Sequence, residues 1–187
     1  MSSPRIIAGK AKGLRLQSVP GDSTRPITDR VKEALFNIIA NDVVDSSFLD
    51  LFGGTGSVGI EALSRGASLA RLIELNQAAV TTIKHNLEFT RLKDNGEVIH
   101  SDAFVYLKRP VDQGFDYIYV APPQYKNLWQ KAMLGIDANP GWLSTDAWVI
   151  VQIDPVEYEK LALTNLNEFD QRRYGSTLLI FYEIKTG

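Results

Sequence analysis

Short apolar runs alternate with amphipathic stretches from residue 48 to the end of the chain. The apolar runs span five to seven residues each and read FLDLF, ARLIEL, EVIHSD, FDYIYV and AWVIVQI. Runs of this length are typical of strands, and each is followed by turn residues and helical spacing. Strands that alternate with helices indicate a parallel sheet covered on both faces. The pattern therefore predicts an α/β fold with a mostly parallel sheet.

Helix signals surround these strands. Thr28 is a candidate N-cap for the stretch DRVKEALFNII. The apolar residues of that stretch follow i, i+4, i+7, i+8 spacing, at Val31, Leu35, Ile38 and Ile39. A second helix should end near Arg65, with Gly66 as its stop, and a third should begin near Asn76.

The two ends of the chain follow a different pattern. FDQRRYGSTLLIFYEI predicts two antiparallel strands joined by Gly175 and Ser176, a two-residue turn whose first glycine suits type II′ geometry. RIIAGKAKGLRL, near the N-terminus, predicts a small hairpin or arm around Gly9 and Gly13. No internal repeat or low-complexity linker interrupts the chain. We therefore expect one domain over residues 1–187, with a basic arm at 1–23 and a Rossmann-like core at 24–187.

Composition narrows the classes of function. A chain of 187 residues with 44% apolar residues is long enough to bury a core as one globular domain. Without cysteine it forms no disulfide or thiolate site, and two separated histidines, His85 and His100, are a poor basis for zinc. No apolar run is long enough to span a bilayer. We expect neither a metal nor a membrane, and a cytoplasmic location, with a plastid as the alternative.

Charge is unevenly distributed, although the net charge is only −2. Residues 1–32 hold seven basic residues against Asp22 and Asp29, so this segment carries 7 − 2 = +5. The basic residues are Arg5, Lys10, Lys12, Arg15, Arg25, Arg30 and Lys32. This excess indicates local contact with an anionic partner. The alternative is a solvated edge that its lysines protect from pairing.

A glycine-rich turn follows the first strand in LDLFGGTGSVG. Gly54-x-Gly56-x-x-Gly59 matches a nucleotide-binding fingerprint, and Glu74 ends the next strand 20 residues after Gly54. Glycines there let a ligand approach the backbone, and a carboxylate at the second strand end can hold ribose hydroxyls. We expect a nucleoside-containing cofactor. In the alternative interpretation the glycines serve only close packing of helix against strand.

The carboxylates around this turn favour one nucleoside over another. Asp50 lies in the first strand, where its charge would repel the pyrophosphate of NAD. S-adenosylmethionine carries an ammonium and a sulfonium and no phosphate, so the row formed by Asp50, Glu74 and Asp102 favours it. Asp102 is also a candidate N-cap for a helix that starts near Ala103, which is compatible with ligand contact.

Two consecutive prolines, Pro122 and Pro123, follow the strand FDYIYV. Proline has no N–H, so this turn presents carbonyl acceptors in a rigid backbone. Acceptors suit a substrate that donates hydrogen bonds, such as the exocyclic amine of a nucleobase, and they stabilise the positive charge that develops on methylation. Tyr125 is a candidate stacking face for a base, or else ordinary loop packing.

The sequence resembles the RsmD family, guanine-N2 methyltransferases of small-subunit ribosomal RNA, and its motifs occur in the same order as in that family. The matching segments cover nearly the whole chain: RIIAGKAKGLRL, TRPITDRVKEALFNII, LDLFGGTGSVGIEALSRGA, LIELN, FDYIYVAPPQY and YGSTLLIFYE. The resemblance implies a Rossmann-like class I methyltransferase fold, with a mostly parallel seven-stranded sheet, a C-terminal antiparallel hairpin and a short N-terminal β arm. It also implies action on 16S ribosomal RNA in the small subunit or an assembly intermediate, and we expect the protein to act as a monomer.

The resemblance also implies roles for individual residues. The cofactor, S-adenosyl-L-methionine, would be bound by Asp50, Phe52, Gly54, Thr55, Gly56, Glu74, Asp102 and Ala103. The catalytic turn would consist of Ala121, Pro122, Pro123, Gln124 and Tyr125. The arm would contact RNA through Arg5, Lys10, Lys12, Arg15 and Arg25.

The catalytic turn departs from the family pattern of Asp, Asn or Ser, then Pro-Pro, then an aromatic residue. Ala121 has no side-chain acceptor, and the aromatic residue is delayed to Tyr125. Losing one directed partner costs roughly 10²- to 10³-fold in rate, against total accelerations of about 10⁶-fold or more. The oxygen of Gln124 can replace the missing acceptor, so we expect an active enzyme. The alternative hypothesis is a degenerate relative that binds RNA during ribosome assembly without methylating it.

Overall fold

The computed structural model describes residues 3–21 and 26–187 and has a seven-stranded sheet at its centre. The strands are β1 (Ser47–Asp50), β2 (Leu69–Glu74), β3 (Gly96–His100), β4 (Phe115–Val120), β5 (Leu143–Ile153), β6 (Leu166–Tyr174) and β7 (Thr177–Ile184). Their order is β3-β2-β1-β4-β5-β7-β6. β1 to β5 are parallel, whereas β7 is antiparallel to both β5 and β6. The predicted mostly parallel sheet and its closing hairpin are confirmed.

In the described part of the chain, five α-helices connect or precede these strands. They are α1 (Asp29–Ile39), α2 (Ser57–Ser64), α3 (Gln77–Phe89), α4 (Ala103–Leu107) and α5 (Leu128–Ala138). Short 3₁₀ helices occupy Ala40–Val43, Lys93–Asn95, Pro140–Trp142 and Pro155–Glu157. Side-chain caps begin two of the predicted helices: Thr28 Oγ1 accepts from Val31 N at 3.3 Å, and Asn76 Oδ1 accepts from Ala78 N at 2.8 Å. These caps satisfy amide groups that have no partner within the helix.

The sheet buries apolar residues on both faces, as a parallel sheet requires. One face packs against α1, α2 and α3, and its buried residues include Phe36, Phe48, Leu72, Ile83 and Phe181. The other packs against α4 and α5, and its buried residues include Leu49, Ile118, Trp129, Met133 and Trp142. Alternate residues of one strand therefore belong to different cores. The polar residues at the strand ends are consequently held on a rigid frame.

The N-terminal arm is a hairpin whose strand character is limited to one antiparallel bridge, between Arg5 and Arg15. Its turn packs closely against the end of α2. Gly9 has φ 86°, and a Cβ there would lie 1.8 Å from the carbonyl oxygen of Ser64. Lys10 N donates to that carbonyl at 2.8 Å. The close approach therefore requires glycine at position 9.

A buried charged cluster attaches the arm to the core. Glu61 on α2 is fully buried and accepts hydrogen bonds from Ile7 N at 2.8 Å and Ala8 N at 3.1 Å. Its carboxylate also lies 3.3 Å from Lys32 Nζ and accepts from Arg65 Nε at 2.8 Å. Lys32 is only 1% exposed. The +5 count of residues 1–32 thus overstates the surface charge, because Lys32 is buried in an ion pair.

Among residues 3–21 and 26–187, no helix combines the length and apolarity that crossing a bilayer requires.

Candidate functional site

The carboxyl ends of the five parallel strands meet at one edge of the sheet, where the strand order changes direction between β1 and β4. Ligands of open α/β sheets bind at such a switch point. Asp50, the last residue of β1, is paired in register with Leu72 on β2 and Tyr119 on β4. The candidate cofactor carboxylates and the proline turn therefore lie at the same edge.

Asp50 is 1% exposed, so its carboxylate lies largely out of contact with water. Burial raises the pKa of Asp50 well above its ordinary value, and the nearby carboxylate of Glu74 raises it further. A hydrogen bond from Phe52 N at 3.3 Å acts in the opposite direction. A cation that approached Asp50 would lower this pKa and stabilise the ionised carboxylate. The site thus has the chemistry to bind an ammonium group.

Glu74 connects the end of β2 to the glycine-rich turn. Its Oε2 accepts from Gly54 N at 2.8 Å, and its Oε1 accepts from Asn76 N at 2.9 Å. Each carboxylate oxygen has a second lone pair that remains available to a ligand hydroxyl. These bonds orient the carboxylate toward the turn before any ligand arrives.

The three glycines of the fingerprint differ in role. Gly54 has φ 59°, and an added Cβ would meet no described atom within 4 Å, so its left-handed backbone borders open space. Gly56 has φ 85° and would place a Cβ 3.1 Å from Ile60 Cδ1. A Cβ at Gly59 would lie 2.9 Å from Leu72 Cδ2. The packing interpretation therefore describes Gly59, whereas Gly54 leaves backbone accessible to a ligand.

Asp102 caps α4, because its Oδ1 accepts from Phe104 N at 2.8 Å and from Val105 N at 3.0 Å. The predicted capping role is confirmed, and the half-buried carboxylate stays at the same sheet edge as Glu74. Phe104 packs edge-on against Phe52, with ring centroids 6.0 Å apart, and Ala103 is buried. These contacts place Phe52, Asp102 and Ala103 together beside the glycine-rich turn.

The proline turn leaves the sheet directly after β4. Ala121 is half-buried, Pro122 is buried, and the following residues Pro123, Gln124 and Tyr125 are exposed. The side chain of Gln124 is therefore accessible at the surface, as a substrate acceptor needs to be. Tyr119, which lies on β4 two residues before Ala121, donates a hydrogen bond from Oη to Gln152 Oε1 on β5. Burial raises the pKa of Tyr119.

The basic residues of the arm are mostly exposed. Lys10, Lys12 and Arg15 are exposed, whereas Arg5 forms an ion pair with Asp29 at 3.2 Å. Arg25 lies outside the described residues. The exposed cations are carried by a hairpin that Glu61 holds against α2, so their position relative to the core is set.

Three polar residues near the site are absent from the sequence-based expectations. Asn86 on α3 is fully buried; its Oδ1 accepts from Gln17 N at 2.8 Å, and its Nδ2 donates to Gln17 O at 3.0 Å and Thr55 O at 2.9 Å. Asp154 and Glu157 follow β5 and contact Tyr125. Asp154 directly follows β5, just as Asp102 follows β3 closely, and an acidic residue after a predicted strand is the sequence signal that points to it.

Within the described ranges, no three His, Asp or Glu side chains are grouped so as to hold a metal ion. Separately, the buried carboxylate of Asp50 and the open backbone at Gly54 suit a cationic organic ligand.

Comparison with known proteins gives consistent matches over most of the chain. A family model described as Conserved hypothetical protein 95 matches residues 4–183. Ribosomal RNA small subunit methyltransferase D of Haemophilus influenzae is 36% identical over 152 residues, covering 80% of this chain and 78% of that protein. The Escherichia coli protein of the same name is 36% identical over 148 residues, covering 79% and 73%. The solved structure of yhhF from Escherichia coli superposes with a TM-score of 0.87 at 31% identity, covering 98% of each chain.

Proposed function

The chain belongs to the family described as Conserved hypothetical protein 95. Because two relatives at 36% identity are named ribosomal RNA small subunit methyltransferase D, we propose that it is an S-adenosylmethionine-dependent ribosomal RNA methyltransferase. The methylated group is the exocyclic N2 amine of a guanine in 16S ribosomal RNA. The observation that carries the proposal is the buried carboxylate of Asp50 beside an open glycine turn and an acceptor-only proline turn.

The residues at the strand ends fit this cofactor. Asp50 pairs with its ammonium group, and Glu74 accepts from ribose hydroxyls while its bond to Gly54 N keeps the turn in place. Asp102 would approach the adenine. The open side of Gly54 admits the ligand to the backbone, and Phe52, Thr55, Gly56 and Ala103 complete the pocket. A phosphate in this position would meet the charge of Asp50, which argues against NAD.

When bound, S-adenosylmethionine supplies a methyl group activated by a sulfonium. The chain's contribution is to hold and polarise the amine that receives it. The Pro122 carbonyl and the Gln124 side-chain oxygen accept the hydrogens of the amine, which localises its lone pair and stabilises developing positive charge. Pro123 restricts the turn, so little reorganisation is needed. Tyr125 stacks on the base that is turned out of the RNA.

The arm contributes affinity for RNA. Lys10, Lys12 and Arg15 are exposed cations on a hairpin attached to α2, and Arg5 and Arg25 extend the basic segment. We expect phosphate contacts that weaken as salt concentration rises. The substrate is the small ribosomal subunit or an assembly intermediate, the protein acts as a monomer, and its location is the cytoplasm.

The deciding experiment is methyl transfer from labelled cofactor to small subunits that lack the modification. Purified protein should give labelled N2-methylguanine in 16S ribosomal RNA. Glu74→Ala should raise the cofactor Kd in calorimetry, whereas Glu33→Ala, a change at an exposed glutamate of α1, should not. Tight RNA binding without any label would identify an assembly factor instead. Tight NAD binding with none for S-adenosylmethionine would overturn the cofactor assignment.

A further inference from the structure

The loop between β4 and α5 contains two non-glycine residues with left-handed backbone. Tyr125 has φ 64° and Asn127 has φ 53°. L-residues adopt this region only at a cost, so neighbouring contacts must hold them there. Tyr125 is also the aromatic residue that Gln124 displaces by one position from the family pattern.

Two carboxylates from the segment after β5 hold Tyr125 at its backbone N–H and at its phenol group. Tyr125 N donates to Glu157 Oε1 at 2.8 Å, and Tyr125 Oη donates to Asp154 Oδ2 at 2.8 Å. The other oxygen of Asp154 accepts from Val156 N at 3.0 Å, which restrains the Asp154 side chain. The ring of Tyr125 is thus anchored through its backbone and its phenol group.

The anchored ring nevertheless points to solvent. Tyr125 is 65% exposed, and Val156, which lies between the two carboxylates in sequence, is 79% exposed. Glu157 Oε2 is buried and has no hydrogen-bond partner in the part of the chain that the structure describes. Burying an unpaired carboxylate oxygen destabilises a protein. An arrangement with an exposed ring and this energetic cost is typical of a functional surface rather than of a stabilising contact.

We propose that Asp154 and Glu157 are positioning residues that hold the Tyr125 ring as a preorganised stacking face for the target base. The inference rests on the proposed function and explains how a delayed aromatic residue still serves the catalytic turn. A ring held before binding loses less side-chain freedom when the base arrives. The two carboxylates therefore act on RNA affinity through Tyr125 and do not themselves touch the base.

The test compares RNA affinity and kinetics across four variants. Tyr125→Ala removes the stacking face and should raise the RNA Kd and KM roughly 5- to 150-fold. Tyr125→Phe keeps the ring without Oη, and Asp154→Ser keeps a capping oxygen that is too short to reach Tyr125. Each should raise Kd and KM about 2- to 12-fold, with little effect on kcat. Their combination should match either single variant, because both remove one contact.

Glu159→Gln is the matched control, because Glu159 is a nearby exposed carboxylate whose partner is Gln130, at 2.9 Å. It should leave RNA affinity unchanged. The cofactor Kd and the slope of log Kd against log salt should also stay constant in Tyr125→Phe and Asp154→Ser, since stacking releases no counterions.

Three results would overturn the positioning role: unchanged RNA affinity in Tyr125→Ala, unchanged RNA affinity in both Tyr125→Phe and Asp154→Ser, or additive effects of those two changes. Equilibrium RNA binding decides this without catalysis. If the unmodified protein binds RNA but transfers no methyl group, the proposed activity fails, while the order of variant affinities still tests the stacking face.

Discussion

Replacing Glu61 with glutamine should loosen the arm and lower the stability of the whole chain. Glu61 accepts from two backbone amides of the arm and pairs with Lys32, which is itself buried. A glutamine keeps the size but removes the charge, so Lys32 is left as a buried cation without its counterion. The side-chain amide of glutamine also places an NH₂ donor where a Glu61 oxygen accepts from a backbone N–H of the arm, so one of those hydrogen bonds is lost.

The expected size of the effect follows from that unpaired charge. Breaking a buried ion pair from one side costs about 3–5 kcal/mol. For 187 residues, an unfolding entropy of about 2.1 cal/mol/K per residue converts this cost to a fall in melting temperature of about 8–13 °C. Burial already lowers the pKa of Lys32, and Glu61 counteracts that effect. In the variant the pKa of Lys32 falls further.

The pH dependence gives an independent check. Between the lowered pKa of folded Lys32 and its ordinary value, the unfolded chain binds more protons, so the free energy of unfolding rises with pH. Thermal unfolding of Glu61→Gln should therefore show a melting temperature that climbs more steeply at alkaline pH than that of the parent. Hydrogen exchange at Ile7 and Ala8 should accelerate.

Two variants frame the measurement. Glu33→Gln, at an exposed position of α1, should change the melting temperature little. Adding Lys32→Met to Glu61→Gln should recover part of the loss, because no buried cation remains. A melting temperature within about 2 °C of the parent, with unchanged exchange at the arm, would refute the role assigned to the buried pair.

Three further changes test other parts of the molecule. Asp50→Asn should weaken cofactor binding about 10- to 150-fold yet stabilise the ligand-free chain at neutral pH. Because burial raises the pKa of Asp50, the parent protein loses stability as pH rises above the ordinary aspartate range. Urea unfolding at several pH values should show this loss in the parent but not in Asp50→Asn, and an equal loss in both would contradict the prediction. Gln124→Ala should lower single-turnover rates roughly 10²- to 10³-fold at unchanged cofactor Kd; an unchanged rate would remove Gln124 from the mechanism. Gly9→Ala should cost more than about 1 kcal/mol in denaturant unfolding, because φ is 86° and Ser64 O blocks the Cβ; equal stability would mean that the arm can shift away.

Much of the sheet is predictable from local pattern. The apolar runs beginning at Phe48 and Phe115 form strands, and Thr28 caps the helix whose spacing it precedes. Asp50 and Glu74 come at strand ends because parallel strands bring their carboxyl ends to one edge. These features depend on residues close together in sequence, so period and turn chemistry are enough to find them.

Contacts between segments far apart in sequence cannot be predicted from such local patterns. Lys32 reads as one of several surface cations, because a pattern of charge does not reveal a buried counterion 29 positions away at Glu61. The contact between Tyr125 and Glu157 joins residues that are 32 positions apart. Each depends on how the arm and the loops fold back onto the sheet, and no local periodicity encodes that.

Asn86 connects the segment proposed to bind RNA with the turn proposed to bind the cofactor. Its buried side-chain amide forms hydrogen bonds with both Gln17, in the arm, and Thr55, in the glycine-rich turn. A force that a bound polyanion exerts on the arm would therefore reach the turn through Asn86, alongside the contacts of Lys32 with Arg5 O and Ser57 Oγ. Any coupling carried by these bonds is reciprocal, so each ligand would change the other's affinity by the same factor. Such communication needs no hinge and no moving domain.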